Sequence, residues 1–109
     1  MPGGNCWSAC VASLLELPIE EVPYFLDDWP AKFDRWALER GFYTLTTEYR
    51  LFVPQGLYIL GGQSPRCSHA VVARGAEVLH DPHPSRAGLV ERETCTVLIS
   101  IDPLKGLPQ

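Results

Sequence analysis

Residues 68–81, SHAVVARGAEVLHD, decide the fold that we predict for this chain. Two apolar runs, residues 68–74 and 76–81, flank Gly75. Strand-forming runs on either side of a turn residue predict a β-hairpin. Segments with helical spacing precede this hairpin, and further strand-like segments surround it. Because helices followed by an antiparallel sheet define an α+β domain, we expect that fold class.

Two helices are predicted before the hairpin. Apolar residues recur at helical spacing over residues 6–17, where Asn5 is a suitable N-cap and Pro18 a suitable end. This helix is apolar on most of its sides, so it belongs in the interior of the domain. A second helix is predicted over residues 30–40, and Gly41 follows it as a natural C-terminal cap.

Two further strands are predicted, over residues 56–62 and 94–101. The second alternates apolar and polar side chains, so it is expected to be half buried. We treat residues 1–109 as one domain in which residues 102–109 form a tail. In the strand at 94–101, we assign Cys95, Val97, Ile99 and Ile101 to the apolar face, and Thr94, Thr96 and Ser100 to the opposite face.

The composition argues against several classes of protein. The 109 residues carry a net charge of −4, and without a basic stripe to neutralise phosphates no nucleic-acid partner is expected. No apolar run approaches the ~18 residues that a membrane span needs, so no membrane partner is expected. We see no secretory signal, so the four cysteines are expected to be free thiols in the reducing cytoplasm.

Cys6, in the segment GNCW, has four candidate roles: nucleophile, metal ligand, half of a disulfide, or small core residue. The first turn of a helix stabilises a thiolate, because its unpaired amides and its dipole favour negative charge. Cys6 lies in that turn if Asn5 is the cap. Cys10 and Cys95 lie on the apolar sides of their elements and are expected in the core, whereas Cys67 lies in or beside a loop.

A metal site receives little support from the spacing of the candidate ligands. The chain has no C-x-x-C pair, and Cys6 and Cys10 are four residues apart on a helix. His80 and His83 are three residues apart, but a proline in a turn separates them. A disulfide to Cys67 is unfavoured in a cytosol. We therefore expect no metal and no cofactor.

A cysteine nucleophile needs a base, and His69 is the candidate because it interrupts an otherwise apolar strand. The base in turn needs an acceptor that orients it. A two-residue turn at residues 74–75 would pair His69 with His80, whereas a three-residue turn at 74–76 would pair it with Asp81. We favour Asp81, because a carboxylate fixes the imidazole tautomer better than a second neutral imidazole does.

Papain-like cysteine peptidases have a Cys–Trp pair at a helix start, followed by a His on one strand and an Asp on the next. This chain has the same order. GNCW resembles their nucleophile segment, and SHAVVARGAEVLHDP resembles the catalytic hairpin of bacterial members, including the leader-peptide-cleaving type. Most of the chain is similar to small uncharacterised phage and prophage proteins. The resemblance implies a papain-like fold, a catalytic triad of Cys6, His69 and Asp81, a peptide or protein substrate, and the cytoplasm of a bacterial or phage-infected cell.

The resemblance is incomplete at the oxyanion hole. Papain-like enzymes place a glutamine several residues before the cysteine, whereas the five residues before Cys6 include none. The backbone N–H of Cys6 supplies one donor, and Asn5 and Gln63 are further candidates. Trp7 and His80 are candidates for the wall of the cleft. The true start lies upstream, the oxyanion hole is weak, or the protein is not an active peptidase.

Two classes of function are therefore carried forward. The first is a cysteine hydrolase that acts on a peptide or isopeptide amide, or a transferase that uses the same residues on another acceptor. The second is a non-catalytic phage protein that keeps the fold and binds a host or virion protein. The sequence leaves the oligomeric state open.

Overall fold

The structure is a computed structural model that describes residues 4–23, 29–64, 68–82 and 88–101. Cys67, His83 and the predicted tail at 102–109 lie outside these residues. The helices are α1 (Gly4–Leu15) and α2 (Trp29–Glu39), with a single 3₁₀ turn at Ile19–Glu21. The strands are β1 (Phe42–Glu48), β2 (Leu57–Gln63), β3 (Ser68–Arg74), β4 (Glu77–His80) and β5 (Glu91–Ser100).

The five strands form one sheet in the order β1-β5-β2-β3-β4, and every neighbouring pair is antiparallel. Helix α1 packs on β3 and β2, and α2 packs on β1, so both helices cover the same face. We call this the helix face and the opposite one the far face. The arrangement confirms the predicted α+β fold class.

Helix α1 begins at Gly4, two residues before the predicted start. Asn5 therefore lies within the helix, and its prediction as the N-cap is wrong. The ring of Trp7 packs edge-to-face on Phe33 of α2, with 5.3 Å between ring centroids. This contact holds the first turn of α1 against α2.

The same helix ends at Leu15, before Pro18 is reached. Glu16 adopts a left-handed φ of 57°, and its N–H bonds to the carbonyl of Ser13. The N–H of Leu17 bonds to the carbonyl of Ala12 at 2.9 Å. These two bonds form a Schellman motif, which stops the helix by satisfying its last carbonyls.

Helix α2 lies within one residue of its predicted bounds. Phe33 and Ala37 are buried against the sheet, as expected for an amphipathic helix. Gly41 follows with a positive φ of 94°, which confirms it as the residue that ends the helix.

The two faces of β5 contain the residues predicted for them, but the burial of these residues differs from the prediction. Thr96 and Leu98 are buried on the helix face, whereas Ile99 on the far face is 47% exposed. Cys95 is buried in a second, smaller core on the far face, together with Tyr58 and Leu60 of β2. Because each face of this sheet carries a core, the alternation in β5 does not divide buried from exposed residues.

The hairpin also differs from both predicted registers. Arg74 pairs with Glu77 across a two-residue turn of Gly75 and Ala76, and Gly75 has a left-handed φ of 57°. The register then shifts, so that Val72 pairs with His80. This shift is a β-bulge, which inserts one extra residue into β4.

No helix in the described part of the chain is long and apolar enough to cross a membrane.

Candidate active site

His69 and Asp81 are joined by a hydrogen bond of 2.6 Å between the ring Nε2 and Oδ1 of the carboxylate. His69 is the second residue of β3, and Asp81 directly follows β4. Their side chains are only 7% and 6% exposed. The contact is therefore a buried His–carboxylate pair at the end of the sheet.

The bulge in β4 lies directly before this pair. Beyond the bulge, Val72 pairs with His80, and Asp81 follows His80 as the first residue after the strand. Because β3 and β4 are antiparallel, the start of β3 and the end of β4 lie at the same end of the hairpin, which brings His69 and Asp81 together.

Gly88 holds the second oxygen of the carboxylate. Its backbone N–H donates to Oδ2 of Asp81 at 2.8 Å, and it adopts a left-handed φ of 74°. An ionised carboxylate only accepts hydrogen bonds, so Nε2 of His69 must carry the proton in this contact. In the neutral ring, Nδ1 then carries the lone pair, which a general base requires.

Cys6 lies in the first turn of α1, as the third residue of the helix. It is half-buried and packs against the core on the helix face, which includes Ala70 and Val72 of β3. The backbone N–H of Cys6 belongs to the first turn, whose amides have no acceptor within the helix. The position near the positive end of the helix dipole, which the sequence predicts, is retained although Asn5 is not the cap.

The buried thiol of Cys10 connects α1 electrostatically to the pair on the sheet. Burial raises the pKa of Cys10 well above its ordinary value, and the negative charges of Cys6 and Asp81 raise this pKa further. Burial also raises the pKa of Cys95. Cys10 and Cys95 therefore remain protonated thiols in the core, as expected from the sequence, and both Cys6 and Asp81 lie within electrostatic range of Cys10.

The remaining candidates have other surroundings. The side-chain amide of Gln63 donates to Glu93 at 3.4 Å. His80 is exposed and lies opposite Val72. Trp7 is half-buried, and its ring packs on Phe33 of α2. Asn5 is the second residue of α1.

Two glycines are part of the site that the sequence analysis did not single out. Gly62 pairs with His69 across β2 and β3, and a Cβ at Gly62 would clash with the carbonyl oxygen of Glu91. No side chain fits at that position, because the backbone of β5 lies too close to it. The doubled glycine at 61–62 is the sequence signal for this close approach. No pattern of residues indicated Gly88.

Among the residues that the structure describes, no group of three or more His, Cys, Asp or Glu side chains could hold a metal ion. The site thus consists of a nucleophile candidate on a helix and a His–carboxylate pair on the sheet.

Comparison with known proteins finds no matching family model, no matching curated sequence and no matching solved structure. The functional argument therefore depends on the chemistry of these side chains.

Proposed function

We propose that this protein is a cysteine hydrolase of papain-like type that cleaves a peptide or isopeptide amide. In this proposal Cys6 is the nucleophile, His69 the general base and acid, and Asp81 the group that orients His69. The observation that carries the proposal is the buried 2.6 Å hydrogen bond between His69 and Asp81.

The burial of this pair favours a chemical role over a structural one. Taking an ionised carboxylate and an imidazole out of water is costly, and well-packed apolar side chains often stabilise a core at least as well. Here both carboxylate oxygens receive donors, so the ring is held in a single orientation and tautomer. A catalytic histidine needs this restraint, whereas a core histidine gains little from it.

The choice of Cys6 as nucleophile rests on a comparison of the described cysteines. The thiols of Cys10 and Cys95 are buried, and their pKa values are raised. Cys6 is half-buried in the first turn of α1, where amides and the helix dipole favour a thiolate. It also lies on the helix that packs against β3, the strand that carries His69.

The reaction follows from these roles. The Cys6 sulfur attacks the amide carbonyl carbon while its proton passes to Nδ1 of His69, and the backbone N–H of Cys6 donates to the developing oxyanion. The C–N bond then breaks, the amine leaves with the proton from His69, and a thioester remains on Cys6. Water attacks the thioester with His69 as base, which releases the carboxylic acid and restores the thiol.

Selective alkylation tests the nucleophile. Iodoacetamide is added at about pH 6, where an ordinary thiol is protonated, and mass spectrometry maps the labelled cysteines. We expect Cys6 to react at least tenfold faster than Cys10 or Cys95. His69→Ala should slow the labelling of Cys6, whereas Cys10→Ala should leave it unchanged. Circular dichroism checks that each variant is folded.

A peptide-linked epoxide then tests hydrolase chemistry, because it alkylates a thiolate after its peptide part has bound. We expect covalent labelling of Cys6 that saturates with probe concentration and disappears in His69→Ala. Equal and slow modification of all thiols in the folded protein would contradict the proposal. That result would favour the alternative, a non-catalytic module that binds another protein.

A further inference from the structure

The far face of the sheet is covered unevenly. Over β2 and β3 a small core is shielded by partly buried apolar side chains such as Tyr49, Val53 and Leu89. Over β1 and the last residues of β5, most of the apolar side chains stay open to solvent. We call the following residues the apolar stripe: Tyr43, Leu45, Val97, Ile99 and Ile101.

The stripe is continuous because its members are neighbours in the β1–β5 ladder. Tyr43 pairs with Ile99 and Leu45 pairs with Val97, and the N–H of Ile101 extends the ladder by bonding to the carbonyl of Gly41. Four of the five side chains are about half exposed: Tyr43 by 57%, Leu45 by 49%, Ile99 by 47% and Ile101 by 44%.

The loop after β1 extends this surface. The carbonyl of Phe52 accepts a hydrogen bond from the thiol of Cys95 at 3.4 Å, which places the loop on the far face. Leu51 and Phe52 are 70% and 56% exposed. Together with the stripe they leave on the order of 500 Å² of apolar surface, at the upper end of what a monomer normally exposes in one patch.

This surface also lacks charge. Within the paired residues of β1 and β5, residues 42–48 and 94–100, the far-face side chains are apolar, threonine or cysteine. The whole chain has a net charge of −4, so two copies repel each other overall. An uncharged face allows two copies to meet without placing like charges opposite one another.

We propose that a second copy of this chain packs on the apolar stripe, far face to far face, as in a β-sandwich. Sheets packed in this way lie about 10 Å apart with their side chains interdigitated. A standard interface buries about 800 Å² on each partner, so ~500 Å² of apolar centre with a polar rim matches that size. The active-site proposal concerns α1, β3 and β4, so the two proposals can fail separately.

Sedimentation analysis over a range of about 1 to 500 µM tests the dimer. We expect the full chain to form a dimer with a micromolar Kd. The double substitution Leu45→Thr and Ile99→Thr removes apolar surface and places threonine, a β-branched residue that suits strands, at both positions. It should weaken the dimer at least tenfold without unfolding the protein.

Leu79→Thr is the matched control. Leu79 is 44% exposed on β4, which forms the opposite edge of the sheet. This substitution should leave the Kd unchanged. A chain that stays monomeric up to about 500 µM would overturn the proposal, and so would a dimer that Leu79→Thr weakens as much as the double substitution does.

Discussion

Replacing Asp81 with asparagine tests the hydrogen bonds at the centre of the candidate site. The carboxylate accepts from two donors, Nε2 of His69 at 2.6 Å and the N–H of Gly88 at 2.8 Å. An asparagine has one acceptor oxygen and one donor NH₂ group. If its oxygen stays on Gly88, the NH₂ group faces His69, and the ring must move its proton from Nε2 to Nδ1.

The size of the effect follows from this mismatch. The backbone N–H of Gly88 is always a hydrogen-bond donor. Asp81→Asn therefore either inverts the tautomer of His69 or leaves two donors facing each other. An unsatisfied buried donor costs about 1–3 kcal/mol, so the free energy of unfolding should fall by roughly 2 kcal/mol. Loss of the lone pair at Nδ1 should slow the alkylation of Cys6 by about 10² or more, because a positioned base supplies 10²–10⁴.

Urea denaturation measures the first effect, and the ¹⁵N chemical shifts of the His69 ring report the tautomer directly. Asp34→Asn is the matched control, because Oδ1 of Asp34 accepts one hydrogen bond from Thr44 at the protein surface, which an asparagine oxygen can also accept. That variant should stay within about 0.5 kcal/mol of the parent protein. Unchanged stability and an unchanged His69 tautomer in Asp81→Asn would refute the reasoning.

Three further predictions concern backbone geometry and pH. Gly88→Ala and Gly41→Ala each place a Cβ in open space, at positive φ values of 74° and 94°. Each substitution should lower the free energy of unfolding by about 1 kcal/mol. Only Gly88→Ala should shift the NMR signals of His69. Equal shifts in both variants would contradict a link from Gly88 to His69 through Asp81. Glu16→Gly relieves the left-handed φ of 57° and should raise the free energy of unfolding by up to about 1 kcal/mol. Glu39 lies in the last turn of α2, so Glu39→Gly should lower the free energy of unfolding in the same urea titration. Burial raises the pKa of Tyr58 to about 12, so its contribution to stability is complete below about pH 10 and is lost as the pH rises towards 12. Urea titrations over this range should show a smaller alkaline loss in Tyr58→Phe, although that variant lacks the hydrogen bond to the carbonyl of Gly75 at every pH.

The sequence predicts the elements of this fold well, because most of them depend on local patterns. The turn at Gly75 and the end of α2 at Gly41 follow from the backbone freedom of glycine, and both are found. The start of α1 was predicted two residues late, because a possible cap at Asn5 does not prevent the helix from beginning earlier in the chain. The burial of β5 was wrong, since the pattern of a single strand does not reveal that both faces of a sheet are covered.

The candidate site shows the same limit. The residue types of Cys6, His69 and Asp81 could be chosen from the sequence, because a histidine in an apolar strand and a cysteine at a helix start are locally unusual. The register of the hairpin before Asp81 could not, since it contains a turn at Gly75 and Ala76 and a bulge, and neither considered register has these features. Gly88 was missed because it acts through its backbone N–H, which any residue except proline carries.

The bulge in β4 makes the hairpin one residue longer than a regular ladder needs. Leu79 lies between the pairs Ala73–Val78 and Val72–His80 and has no partner of its own on β3. Deleting Leu79 would therefore leave a regular ladder in which His80 still pairs with Val72, and Asp81 would keep its position next to His69. Related chains that share the chemistry are expected to have either a bulge and a spacing of twelve positions between His69 and Asp81, or one position fewer and no bulge.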